Sequence, residues 1–167
     1  MNRAQKIGNV GMTVLTVIAI VVVQGILAYR FRVFQYFDLP LIYCVYYGFR
    51  MSKPVTSVFM GGGLGLLQDA LSGAALGTYG FSKALICFVA ASTSLKFNVD
   101  QPITRIFALF LFTLADGLLV SILGLAMGTS GAAVSGGRLM DLVLSGVFNT
   151  LLGLMMFGFR DRYRHAT

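Results

Sequence analysis

The sequence has no glutamate and no tryptophan, and only one histidine, two cysteines and three prolines in 167 residues. The usual zinc, di-iron and Ser–His–Asp arrangements draw on several histidine or glutamate side chains, and here the one histidine is His165, near the end of the chain. No glycine-rich phosphate loop closing on a lysine occurs either, which removes P-loop ATP hydrolysis. No catalytic residue, metal or cofactor is therefore expected. Cys44 and Cys87 lack CxxC spacing and fall in apolar stretches, so they read as buried apolar fillers.

Charge is scarce as well. Only 11% of residues are charged against 57% hydrophobic, and the mean hydropathy of +0.82 is far from that of a soluble domain. Apolar runs close to the ~20 residues needed to cross a hydrocarbon core recur along the chain. The first has a basic start, MNRAQK, but it is too long for the core of a signal peptide, and GILAYRFR is a poor cleavage site. The fold class expected is an all-α polytopic membrane protein, a single integral membrane domain over residues 1–167. Six spans are expected, at about 7–29, 36–49, 54–71, 78–97, 103–127 and 139–159.

Pro40, Pro54 and Pro102 each lie near the start of an apolar run, where a missing N–H costs little. The second span is short, and it crosses only if the aromatic FRVFQYF segment before it also enters the membrane. Without tryptophan, an interfacial aromatic belt falls to tyrosines such as Tyr29, Tyr36, Tyr43 and Tyr79. GTSGAAVSGGR, residues 128–138, reads as a flexible loop before the last span, and GAALG, residues 73–77, folds spans three and four into a hairpin.

The net charge of +7 is scattered over short loops and termini. It points to membrane orientation and not to nucleic acid. With both termini cytoplasmic, the inner segments hold Arg3, Lys6, Arg50, Lys53, Lys96, Arg105, Arg160, Arg162 and Arg164, and the outer ones only Arg30, Arg32 and Arg138.

That direction places the intramembrane polar residues Gln24, Gln68, Asp69, Lys83, Asp116 and Asn149 toward the outer half and the midplane. A charge at bilayer centre costs ~2.5–3.5 kcal/mol on insertion scales, which a partner or a watery cavity reduces. An inward cluster of Gln68, Asp69, Lys83, Asp116 and Asn149 is expected, in which an Asp69–Lys83 ion pair across the hairpin is geometrically feasible; the alternative is that both side chains snorkel to the outer interface. Asp141 reads as an acidic complement to the dipole at the start of the last helix. Glycines give a second signal. Gly61 to Gly65, Gly73 to Gly77 and Gly124 to Gly128 have GxxxG spacing, and Gly61, Gly62, Gly63 and Gly65 crowd one and a half turns. Gly61, Gly62, Gly65, Gly73 and Gly77 are expected to form packing surfaces against a helix of the same chain or of a partner, a second copy included.

GGGLGLLQDALSGAALGTYGFSKAL, residues 61–85, resembles a hairpin of the bacterial rod-shape-determining MreD family: a glycine-rich helix runs into a G-L-x-x-D element, a small-residue turn and a following helix. Gly65, Leu66, Asp69, Gly73 and Gly77 occupy the matching places. DLPLIYCVYYGFRMSKP, residues 38–54, is similar to the family's short proline-containing second helix, and LADGLL, residues 114–119, also fits. The resemblance covers residues 37–120 in motif and the remainder in hydropathy. It implies a non-enzymatic inner-membrane scaffold of the bacterial cell-elongation machinery, which helps to maintain rod shape and to organise peptidoglycan synthesis. The partners implied are the single-span periplasmic protein MreC, the actin-like MreB filament, and the wall-synthesis glycosyltransferase and transpeptidase. The fold implied is that of the six-helix substrate-binding subunit of energy-coupling-factor transporters. The alternative function is accordingly a subunit that binds a vitamin or other small molecule for transport.

The basic asymmetry predicts that a cytoplasmic reporter fused to the C-terminus is active and a periplasmic one silent. The reverse pattern would invert every depth assigned above.

Overall fold

The computed structural model describes residues 3–30, 36–51, 53–96, 101–128 and 136–164. Among them are six helices and no strand: α1 (Arg3–Arg30), α2 (Leu39–Met51), α3 (Pro54–Ser72), α4 (Thr78–Lys96), α5 (Pro102–Ala126) and α6 (Gly136–Arg164). Most of the FRVFQYF segment, most of the Gly/Ser-rich loop and His165 lie outside the described residues. By length and composition α5 holds an apolar span, Ile103–Ala126, able to cross a membrane, with shorter apolar segments at Leu15–Leu27 and Met140–Met156.

Local chemistry sets the helix ends. Pro54 and Pro102 open α3 and α5, where their fixed φ suits the first turn and no N–H is missed. Asp38 caps α2: its Oδ1 accepts the Leu41 N–H at 2.9 Å, and its carbonyl accepts the Ile42 N–H at 3.1 Å. α3 stops at Gly73, whose φ of 67° is left-handed, and the turn into α4 closes through Gly77 at φ 98°.

α2 is the centre of the bundle. At 13 residues it is about 20 Å long, yet it touches all five other helices. Leu41, Val45 and Phe49 pack with Ile86 and Ala90 of α4 and Leu109 and Phe112 of α5. On its other side Cys44 joins Val17 and Val21 of α1, Leu64 of α3 and Cys87 of α4. Among the described residues no large apolar side chain of α2 is exposed, whereas Leu15, Phe59, Phe107 and Met155 on the surrounding helices are each more than two-thirds exposed. A helix enclosed by protein has no hydrocarbon thickness to match, which accounts for its shortness. Cys44 and Cys87 are free and buried in this core.

The most extensive contact is α3 against α4. The buried face of α3 reads Ser57, Gly61, Gly65 and Asp69 at every fourth position, with Leu64 beside it. A Cβ at Gly61 would collide with the Lys83 carbonyl, and one at Gly65 with the Tyr79 carbonyl. Glycine here lets two backbones meet, and this close approach is made within the chain.

The other glycines differ from the sequence expectation. Gly73 and Gly77 are turn residues with positive φ, and an added Cβ would touch nothing within 4 Å at either. Their GxxxG spacing reflects the length of the turn. At Gly62 a Cβ would meet only the Ala84 Cβ, at 3.8 Å, an ordinary contact, and at Gly63 nothing. Neither is needed for packing within the chain.

Gly65→Ala is therefore expected to destabilise the chain by about 1–3 kcal/mol or more, because the obstacle is rigid backbone. Gly63→Ala should leave stability unchanged or raise it by up to ~1 kcal/mol through helix propensity. Thermal unfolding of the two variants in detergent decides this, and equal midpoints would refute the interface.

Candidate functional site

Two polar assemblies lie at the end of the bundle where α1 and α3 finish and α2 and α4 begin. The first surrounds Asp69, which is 1% exposed. Its Oδ2 accepts the N–H groups of Gly77 at 2.8 Å and Gly80 at 3.1 Å, and its Oδ1 accepts that of Tyr79 at 2.9 Å. Gly77 stands just before α4 and Tyr79 and Gly80 lie in its first turn, so their N–H groups have no partner inside the helix, and the helix dipole adds to their attraction for an anion. Thr78 completes the turn, its Oγ1 donating to the Ala75 carbonyl at 2.8 Å.

The expected Asp69–Lys83 ion pair is thus not the one formed. Asp69 is satisfied by backbone N–H groups, and Lys83 turns to other carboxylates. Its Nζ lies 2.7 Å from Asp38 Oδ2 and 3.2 Å from Asp116 Oδ2, with no exposed surface on the lysine side chain. Asp116 Oδ1 also accepts the Ser82 hydroxyl at 2.5 Å. The ammonium sits 5.3 Å from the centre of the Tyr79 ring, within cation–π range.

Asp38 joins this cluster to the rest of the fold. Its N–H donates to Asn149 Oδ1 of α6 at 2.8 Å. The residues on either side of it are held by Gln24 of α1: Nε2 donates to the Phe37 carbonyl at 2.5 Å, and Oε1 accepts the Leu39 N–H at 2.6 Å. The start of α2 is therefore clamped by α1, α4 and α6.

A cavity of about 390 Å³ adjoins the cluster, and all six helices or their flanks contribute to it. Gln68, Asp116 and Asn149 line it, as do Gln24, Asp38 and Asp141. Among the expected cluster members, Lys83 stands behind this wall in contact with Asp116, and Asp69 serves the α4 cap. One amide atom of each of two lining residues, Gln68 Oε1 and Asn149 Nδ2, is buried out of reach of the cavity and has no hydrogen-bond partner.

Asp141 differs from expectation too. α6 begins at Gly136 and has no acidic residue in its first turn. Asp141 falls one turn later, where its Oδ1 accepts the Tyr36 hydroxyl at 3.3 Å. Asp38 is the residue that sequence reasoning missed. An aspartate two residues before a proline and an apolar run is a legible helix cap, but Lys83 as its partner 45 residues on has no local signal.

Lys83→Met would leave two carboxylates without their cation, at a cost of about 3–5 kcal/mol. Adding Asp116→Leu should recover part of this loss, whereas adding Asp69→Leu should be additive, because Asp69 belongs to a separate assembly. Denaturation in detergent of the wild type, the three single variants Lys83→Met, Asp116→Leu and Asp69→Leu, and the two doubles measures both couplings. Rescue by Asp69→Leu alone would restore the pairing that the sequence suggested.

Compared with known proteins, the chain matches the family described as rod shape-determining protein MreD over residues 5–162. No curated protein and no solved structure matches it. The match extends the motif resemblance of residues 37–120 to both flanking helices. Over nearly its whole length, the chain belongs to the MreD family of rod shape-determining membrane proteins.

Proposed function

We propose that this protein is a non-enzymatic scaffold subunit of the bacterial cell-elongation machinery, and that it organises peptidoglycan synthesis by binding an MreC-like single-span protein. Membership of a shape-determining structural family is the observation that carries this reading, since it gives the chain a role in rod-shape determination. On this proposal all six helices lie in the inner membrane, in an arrangement like that of energy-coupling-factor substrate-binding subunits. Both termini face the cytoplasm, beside an MreB-like filament. The wall-synthesis glycosyltransferase and transpeptidase join through the partner.

The distribution of small and large side chains supports a scaffold role. Gly61 and Gly65 are consumed inside the chain, whereas Gly63 is exposed and has nothing within 4 Å of where a Cβ would stand. Phe59 and Leu66, one turn to either side, are exposed too. This part of α3 offers a partner helix a shallow depression between large side chains, in lipid where packing and not hydrophobicity drives association.

Gly63→Leu should therefore reduce recovery of an MreC-like partner in detergent pull-down at least about fivefold, with an unchanged unfolding midpoint and widened cells. Full recovery with normal cell width would remove this face of α3 from the interface. Elongation proteins absent from the wild-type pull-down would overturn the scaffold reading itself.

A further inference from the structure

We propose that the gap between α1 and α6 is a binding site for one anionic phospholipid, with an acyl chain against three tyrosines of α2 and the phosphate on Arg50. This inference rests on how the helices pack and is independent of the partner reading.

Packing opens the site. The helices around α2 touch one another in the order α1, α3, α4, α5, α6, but among the described residues α1 and α6 do not touch. α2 accordingly has two unlike faces. Gly48 is set against α4, where a Cβ would stand 2.9 Å from that of Ala90. Tyr43, Tyr46, Tyr47 and Arg50, at i, i+3, i+4 and i+7, share the opposite face. The tyrosines there are half-buried and Arg50 is exposed. Tyr43 borders the core cluster shared with α1 and α3, and Tyr46 the cluster shared with α4 and α5, so this face lies between the two. The rings are neighbours, with the Tyr43 centroid 6.5 Å from that of Tyr46 and 6.3 Å from that of Tyr47.

Length selects the occupant. The gap is closed at the start of α2. Gln24 of α1 holds Phe37 and Leu39 by backbone hydrogen bonds, Asn149 of α6 accepts the Asp38 N–H, and the Phe37 ring lies 5.1 Å from that of Phe148. From Leu39 to Arg50 is about 17 Å of helix. That is close to the ~15 Å depth of one leaflet and well short of the ~30 Å that a spanning helix occupies. A lipid chain entering from the Arg50 end fits this depth, whereas a membrane-spanning partner helix would meet the bridge.

Charge selects the head group. Arg50 donates one Nη1 N–H to the Tyr46 hydroxyl at 3.2 Å, and among the described residues no carboxylate pairs with it. Its remaining donors form a planar fork suited to a phosphate. The flanking helices reach this end with Arg3 and Lys6 in the first turn of α1 and Arg160, Arg162 and Arg164 in the last turns of α6, against Asp161 alone. A net negative head group is therefore favoured over a zwitterionic one.

The test titrates the full chain in detergent with phosphatidylglycerol and with phosphatidylcholine of the same acyl chains, read by native mass spectrometry. One phosphatidylglycerol should be retained saturably and about tenfold more tightly. Arg50→Gln should abolish that preference without moving the unfolding midpoint. Lys53→Gln removes another exposed charge at the same end of the bundle, and should alter the preference by less than about twofold. Equal affinity for the two lipids, or equal losses in Arg50→Gln and Lys53→Gln, would overturn the proposal. Tyr47→benzoylphenylalanine, irradiated in native membranes, should crosslink phospholipid. A protein adduct in its place would give the gap to a partner helix and overturn the proposal as well.

Discussion

A lysine ammonium with no exposed surface governs this structure. Lys83 is held between Asp38 and Asp116, and burial of that kind is tolerable only if nearly every charged atom is paired or hydrogen-bonded. Asp38 Oδ1 takes a backbone N–H of α2, and Asp116 Oδ1 takes the Ser82 hydroxyl. The cluster therefore fixes the start of α2, the phase of α4 and the rotation of α5 together. Moving one of these helices by a turn would strand a charge in the apolar interior, where the cost of error is several kcal/mol.

The same requirement explains why the shortest helix sits in the middle. α2 has a polar beginning, with Asp38, Gln24 and Asn149 around its first turn, and an apolar remainder in contact with four helices through the two core clusters. Surrounded in this way, it can stop at about 20 Å. The outer helices carry the large exposed apolar side chains, the distribution expected where lipid takes the place of water.

Much of this was legible in the sequence, because the signals were local. Proline at the first turn and glycine at the turn placed α3, α4 and α5 to within a residue or so, and the GxxxG spacing marked Gly61 and Gly65 as positions of close approach. The same spacing misdescribed Gly73 and Gly77, since a five-residue turn with a glycine at each end has the same period as a packing face. Ion pairing was not legible. Similar depth on two arms of a hairpin favoured Asp69 for Lys83, but depth carries no information on which side of a helix a residue stands. Asp38 was hidden for a related reason: it precedes its helix, and counting charges within spans passes over it.

Asp69 shows how the two polar assemblies depend on one packing face. Gly61, Gly65 and Asp69 are successive members of a stripe that repeats every four residues on α3. The two glycines bring the α3 backbone against the carbonyls of Lys83 and Tyr79. One turn further on, that proximity places a short aspartate side chain within hydrogen-bond reach of three N–H groups at the start of α4. A longer acidic side chain would overshoot the same donors, and a bulkier residue at position 65 would withdraw them. Once the start of α4 is fixed, Ser82 and Lys83 follow within its next turn, aimed at Asp116. The aspartate in a run of glycine and leucine thus positions the lysine without pairing with it, and leaves that lysine free to join α2 to α5.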